Sequence, residues 1–225
     1  MTFDDIVADY IREYRDDARA EIRFFEIQRS PTEAIRKAAL CQMPGGKRHP
    51  HQRRIPRVLL EQVEGRLQGI RRKLAKAPDF ATVHRLVRDE VGSIRGIGAL
   101  TVYDISHRIG AYFGKAPELV YLHAGTKTGA RTFNIGGEAF DPEILPKPFS
   151  RLAPAEIEDC LCIYKDELKA SHNGAVSKSP MRSSFSPCRP RARILRSSTG
   201  HGKSFGPKDN QALRPEGGPG DSERN

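Results

Sequence analysis

The sequence predicts an all-α protein, and three observations carry that expectation. Apolar residues recur at three- and four-residue spacing in several separate stretches, the period of an amphipathic helix. Helix-start signals stand where such stretches begin, at Ser30-Pro31-Thr32-Glu33 and at Pro78-Asp79. Aromatic content is 7% with no Trp, low for a sandwich or barrel, whose strands favour such residues. About six helices in a single bundle-like domain over residues 1–170 are expected, with negligible β structure.

In chain order, Thr2 to Gln28 reads as one helix with Ile6, Val7, Tyr10, Ile11, Tyr14, Ala18, Ile22 and Phe25 on its apolar face. Asp4 and Asp5 suit the positive end of its dipole. Ser30 caps a second helix, with Pro31 at the first position and Glu33 closing a capping box; it stops near Gln42, before Pro44-Gly45-Gly46. A third runs from Pro56 with Val58, Leu59, Val63, Leu67, Ile70 and Leu74 on one face. Pro78-Asp79 ends it and caps a fourth that uses Phe80, Val83, Leu86, Val87 and Val91. A fifth extends from Ala99 to about Phe113, and Pro117 starts a short one through Leu122. The stretch from Gly125 to Pro148 is punctuated by Gly and Pro, with one helical turn near Gly129–Phe133. A last helix from Pro154 to about Lys169 buries Ile157, Leu161, Ile163 or Tyr164, and Leu168.

Charge is unevenly spread. Lys and Arg number 38 against 28 Asp and Glu, a net +10, so polyanions are the first partners to consider. Residues 171–225 hold ten Lys/Arg and four Asp/Glu in a Ser-, Pro-, Gly- and Arg-rich stretch with few apolar residues. They read as a disordered basic tail, either an arm that adds phosphate affinity or a segment without a selected role. No stretch approaches the ~20 apolar residues of a membrane-spanning helix. The first ten residues carry three Asp and no apolar run, unlike a secretory signal. Four Cys then read as reduced thiols, and a cytoplasmic protein is expected; the composition fits a GC-rich bacterial genome.

The most informative motif is Ile94-Arg95-Gly96-Ile97-Gly98-Ala99-Leu100-Thr101, set between two predicted helices. Two glycines free the turn to take φ > 0 and keep Cβ atoms away from an approaching backbone. Ile97 anchors the turn, and Arg95 adds charge. The following helix points free N–H groups, about Gly98 to Leu100, at a phosphate. Over Val83–Phe113 this resembles the helix-hairpin-helix element of DNA repair and recombination proteins. The resemblance implies sequence-independent binding of the DNA backbone, duplex first, through Arg95, Gly96, Ile97, Gly98, Ala99, Leu100 and Thr101. The alternative is a tight turn between helices in which glycine serves the backbone alone.

The same element occurs in base-excision glycosylases, whose lyase members carry a Lys two positions after the second glycine. Leu100 stands there in this chain and cannot form a Schiff base. The family's Asp one helix later is matched by Tyr121 in Val120-Tyr121-Leu122-His123, leaving Glu118 as the nearest carboxylate. Asp104 and His107 could meet as an acid/base pair on one helix face. No run of cysteines offers an iron–sulfur site, and no cofactor is expected. The resemblance therefore implies binding more than catalysis. An enzyme on nucleic acid remains the alternative, and a helical interaction protein the second.

Further cations extend the candidate surface: Lys47, Arg48, Arg53 and Arg54 in a basic loop, Arg71 and Arg72 on a helix, and Lys127 and Arg131 in the Gly-rich stretch after His123. His49-Pro50-His51 lies in that basic loop without a second ligand pair at a recognisable spacing, so a solvated loop and no metal site are expected. Cys160 and Cys162 point apart on a helix and read as core residues. Glu156, Glu158 and Asp159 are accounted for by the dipole of the last helix.

Overall fold

The computed structural model describes residues 1–172 and is all-α. Ten α-helices form among the described residues: α1 (Phe3–Glu13), α2 (Arg15–Glu26), α3 (Pro31–Ala39), α4 (Arg57–Gly69), α5 (Arg71–Ala75), α6 (Phe80–Val91), α7 (Ala99–Tyr112), α8 (Ala124–Ala130), α9 (Pro154–Ile163) and α10 (Lys165–His172). No helix among these residues is long and apolar enough to cross a membrane. Ser171 and His172 complete α10, and the Ser171 hydroxyl donates to the Met1 carbonyl at 2.6 Å. The basic tail expected over 171–225 otherwise lies outside the described residues.

The count exceeds six because three expected helices bend at one residue each, Tyr14, Ile70 and Tyr164, and because α8 forms where a single turn was expected. The first bend has a packing reason. Ile6, Val7 and Tyr10 of α1 sit in one apolar cluster, whereas Phe25 of α2 sits in another. A straight helix could not serve both. Cluster one spans residues 24–113 and takes its core from α3, α4, α6 and α7. Cluster two joins α1 to Val120, Phe149 and the buried face of α9 and α10. Between α9 and α10, Tyr164 is buried in this cluster and Ile163 packs against it partly buried.

Local signals act as read at most helix starts. The Ser30 hydroxyl accepts from the Glu33 amide at 3.2 Å, and Asp79 accepts from the Thr82 amide at 2.7 Å. Glu33 does not close a capping box; its carboxylate pairs with Lys37 at 2.8 Å instead. On α4 the buried face is Leu60, Val63 and Leu67, with Leu74 of α5 beside them, and Val58 is exposed.

The helix expected from Pro117 to Leu122 does not form. Val120 and Tyr121 instead form strand β1 (Val120–Tyr121), paired antiparallel with β2 (Ala139–Phe140), which satisfies their backbone. The turn expected at Gly129–Phe133 starts earlier, as α8 followed by a 3-10 turn over Arg131–Phe133.

Candidate nucleic-acid interface

Helices α6 and α7 pack against each other and are joined by the turn 92–98. The Ile94 amide donates to the Val91 carbonyl at 3.1 Å, and the Ile97 amide to the Ile94 carbonyl at 3.0 Å. Ile94 and Ile97 are buried in cluster one, so the turn is anchored from both sides. Gly96 has φ +98°, where a side chain is strained, and an added Cβ would stand 3.2 Å from Leu59 Cδ1. Gly98 differs: its φ of −90° suits any residue, and a Cβ there would meet nothing within 4 Å.

Gly98 is the N-cap of α7 and supplies no side-chain oxygen. The first internal bond runs from the Val102 amide to the Gly98 carbonyl at 3.0 Å. The N–H groups of Ala99, Leu100 and Thr101 therefore have no acceptor among the described residues. Arg95, Gly96, Gly98 and Ala99 are exposed around them; Leu100 is half-buried and the Thr101 side chain is buried.

A cleft of about 270 Å³ opens beside this turn. Ile97, Ala99, Val102 and Tyr103 form one wall, and His84, Arg88 and Gly92 of α6 another. The strand pairing brings in Tyr121, Leu122 and His123; the Leu122 amide donates to the Glu138 carbonyl at 2.7 Å. Aromatic rings make the floor, with Tyr121 4.6 Å from His84 and 5.5 Å from Tyr103, centroid to centroid. Arg88 and Lys127 stand at the rim as exposed cations, and Arg88 pairs with Glu138 at 3.3 Å. Tyr103 Oη is buried and has no hydrogen-bond partner among the described residues.

His123 sits at the back of the cleft, 2.8 Å from Glu158 Oε1 through Nε2. The contact is an ion pair off the ring's N–H direction rather than an aligned hydrogen bond. Burial opposes a charged His123, but Glu158 outweighs it and holds the imidazole pKa above its usual value. Thr126 donates to the same Glu158 oxygen at 2.6 Å.

These contacts correct several expectations. Glu158 is buried against Thr126 and His123, Asp159 accepts from Tyr10 at 3.2 Å, and Glu156 accepts from Arg15 at 3.0 Å and Arg19 at 2.8 Å. They hold helices together rather than serve the dipole alone. Gly129 frees no loop, since a Cβ there would run into the Leu161 carbonyl of α9. Of the cations, Lys127 and Arg131 on and after α8, and Lys47, Arg53, Arg54 and Arg72, are exposed. Arg48 is spent on the Ile55 carbonyl at 2.7 Å, and Arg71 on the Thr32 hydroxyl at 2.9 Å.

Asp104 and His107 do not form an acid/base pair. Asp104 accepts from the Gln52 amide, whereas the His107 ring packs near Phe80 and Tyr103. Burial pushes the His107 pKa down to about 4. Glu118 is exposed on the connection after α7. His49 and His51 are half-buried rather than fully exposed, and a ring nitrogen of each lies within 4.8 Å of an Asp104 oxygen, a proximity that no sequence spacing shows. Tyr103, His84 and Arg88 of the cleft were not marked by any local pattern in the sequence.

No protein-family model, curated protein or solved structure matches this chain.

Proposed function

We propose that the chain binds nucleic acid through backbone phosphates at the α6–α7 turn, with duplex DNA the first ligand to test. One observation carries the reading: Gly98 is a glycine that the fold does not require, at the mouth of three unsatisfied N–H groups. Ser, Thr, Asp or Asn would cap α7 from that position. Any of these would also fill the space through which a phosphate oxygen reaches the amides. Arg95 beside them and Lys127 and Arg88 across the cleft supply charge. Such contacts favour no base, so affinity falls steeply with salt.

The test is fluorescence anisotropy of the full chain with a labelled duplex at two salt concentrations, repeated on Gly98→Asp. Expected is salt-sensitive binding that drops by more than about tenfold in the variant, since a carboxylate then occupies the phosphate position. Equal affinity at matched helicity would assign DNA binding elsewhere and leave the glycine to the turn.

A second reading rests on the unpartnered Tyr103 hydroxyl in the cleft wall: an enclosed polar ligand, as an enzyme acting on nucleic acid would hold. Tyr103→Phe then weakens the binding of a nucleoside monophosphate while leaving duplex affinity intact. Unchanged monophosphate binding rejects it.

A further inference from the structure

Away from the cleft, three metal-ligating side chains from distant stretches meet. His49 and His51 flank Pro50 in the 3-10 turn Pro50–Gln52, and Asp104 comes from the middle of α7. One ligand atom from each lies within 4.8 Å of the others. The two imidazoles stand edge to face, 4.8 Å apart between centroids. All three residues are half-buried, shielded yet reachable from solvent.

The surroundings position them. Gln52 is fully buried, its amide nitrogen donates to Asp104, and its side chain also acts on His49, so it stands between two members of the group. Arg108, also buried, donates to Glu21 Oε1 through Nε at 3.2 Å and Nη2 at 2.9 Å. These two charges compensate each other. The other oxygen, Glu21 Oε2, lies 3.6 Å from His49 Nε2. A carboxylate behind one ring nitrogen is the arrangement that fixes the tautomer of a ligating histidine. It leaves His49 Nδ1 with its lone pair, now accepting a long 3.4 Å bond from the His51 amide. Asp104 makes no direct ion pair among the described residues, although the Arg108 guanidinium nearby favours its ionised form against burial.

We propose that His49, His51 and Asp104 bind a first-row divalent cation of the Zn²⁺ or Fe²⁺ class, with water in the remaining coordination positions. Two imidazoles and a carboxylate suit that class, whereas Ca²⁺ and Mg²⁺ favour all-oxygen sites. Metal–nitrogen bonds of about 2.1 Å put neighbouring ligands about 3.4 Å apart in a tetrahedron, so closure needs side-chain movements of about 1 Å. Glu21 is a positioning residue acting through His49. The bound ion ties the turn 50–52 to α7, independently of any nucleic acid at the helix's amino end.

The test uses the full chain, freed of metal by chelation and titrated with Co²⁺, followed by visible absorption, and with Zn²⁺ by equilibrium dialysis. Expected is one tightly held equivalent, weakened about 100-fold in His51→Ala and in Asp104→Asn, and unchanged in His84→Ala. Glu21→Gln keeps the stoichiometry and the cobalt spectrum but weakens binding about tenfold, and Glu21→Asp recovers part of that loss. In the unaltered chain, Zn²⁺ shifts the ring resonances of His49 and His51 and leaves those of His84 in place, a readout that needs no variant to fold. Absence of binding at millimolar metal, unshifted His49 and His51 resonances, or equal affinity in the His51 and Asp104 variants would overturn the proposal.

Discussion

Gly96 and Gly98 stand two positions apart and answer to different constraints. Gly96 is held at φ +98° against Leu59, so Gly96→Ala should destabilise by about 1–3 kcal/mol in urea unfolding. Gly98→Ser should leave stability within a few tenths of a kcal/mol of the parent, because serine caps a helix at least as well. A loss of stability on Gly98→Ser would mean that the fold needs this glycine after all. His107 adds a pH prediction at the same scale. Its folded pKa of about 4 lies below the ordinary imidazole value, so the folded state favours the neutral ring. The associated stability is present above about pH 6.5 and is lost as pH falls toward 4. Between pH 7 and pH 5 the chain should lose about 2 kcal/mol through this group, and His107→Gln should lose correspondingly less. Identical pH profiles for parent and variant would remove His107 from the account.

At the level of elements, α7 carries the most varied demands. Val102, Ile105 and Ile109 belong to cluster one, while Asp104 and Arg108 face polar partners on the 50–52 turn and α2. Arg108 and Glu21 form a shielded pair, and removing one partner strands the other's charge. Arg108→Leu should therefore cost about 3 kcal/mol or more, and the double variant Arg108→Leu/Glu21→Leu less than that, by chemical denaturation. If the double variant were the less stable, the pair would be a net stabiliser. Helix starts were legible in the sequence where a short polar side chain precedes a periodic run, as at Ser30 and Asp79. The bends at Tyr14, Ile70 and Tyr164 were not, because local periodicity continues through them. At Tyr14 the existence of two separate clusters forces the change of direction, whereas α4 and α5 share cluster one and α9 and α10 share cluster two. The strands β1 and β2 were hidden for a related reason: two-residue strands gain their identity from the partner, not from their own pattern.

For the whole molecule, the turn at 92–98 was legible as a motif, but its cleft was not. Tyr121 and His123 reach it through strand pairing with a segment about twenty residues later, and Arg88 reaches it from the helix before. The same holds for the His49, His51 and Asp104 group, whose members lie 53 residues or more apart across Asp104. Charge gives the prediction proper to this scale. Replacing Arg95 by Ala should lower the slope of log affinity against log salt by about one, and weaken all duplex sequences alike. A change confined to particular sequences would contradict a backbone-only contact.

The two clusters also differ in how the chain supplies them. Cluster one is assembled from one continuous stretch, residues 24–113, whereas cluster two needs α1 from one end and residues 120–168 from the other. During synthesis the first can condense while the later half is still being made. The apolar face of α1, with Ile6, Val7 and Tyr10, must wait uncovered until α9 and α10 have left the ribosome. Closing that long loop is the slow step such a topology imposes. In the interval the apolar face of α1 is open to proteases and chaperones, so α1 is the last part of its cluster to be sealed.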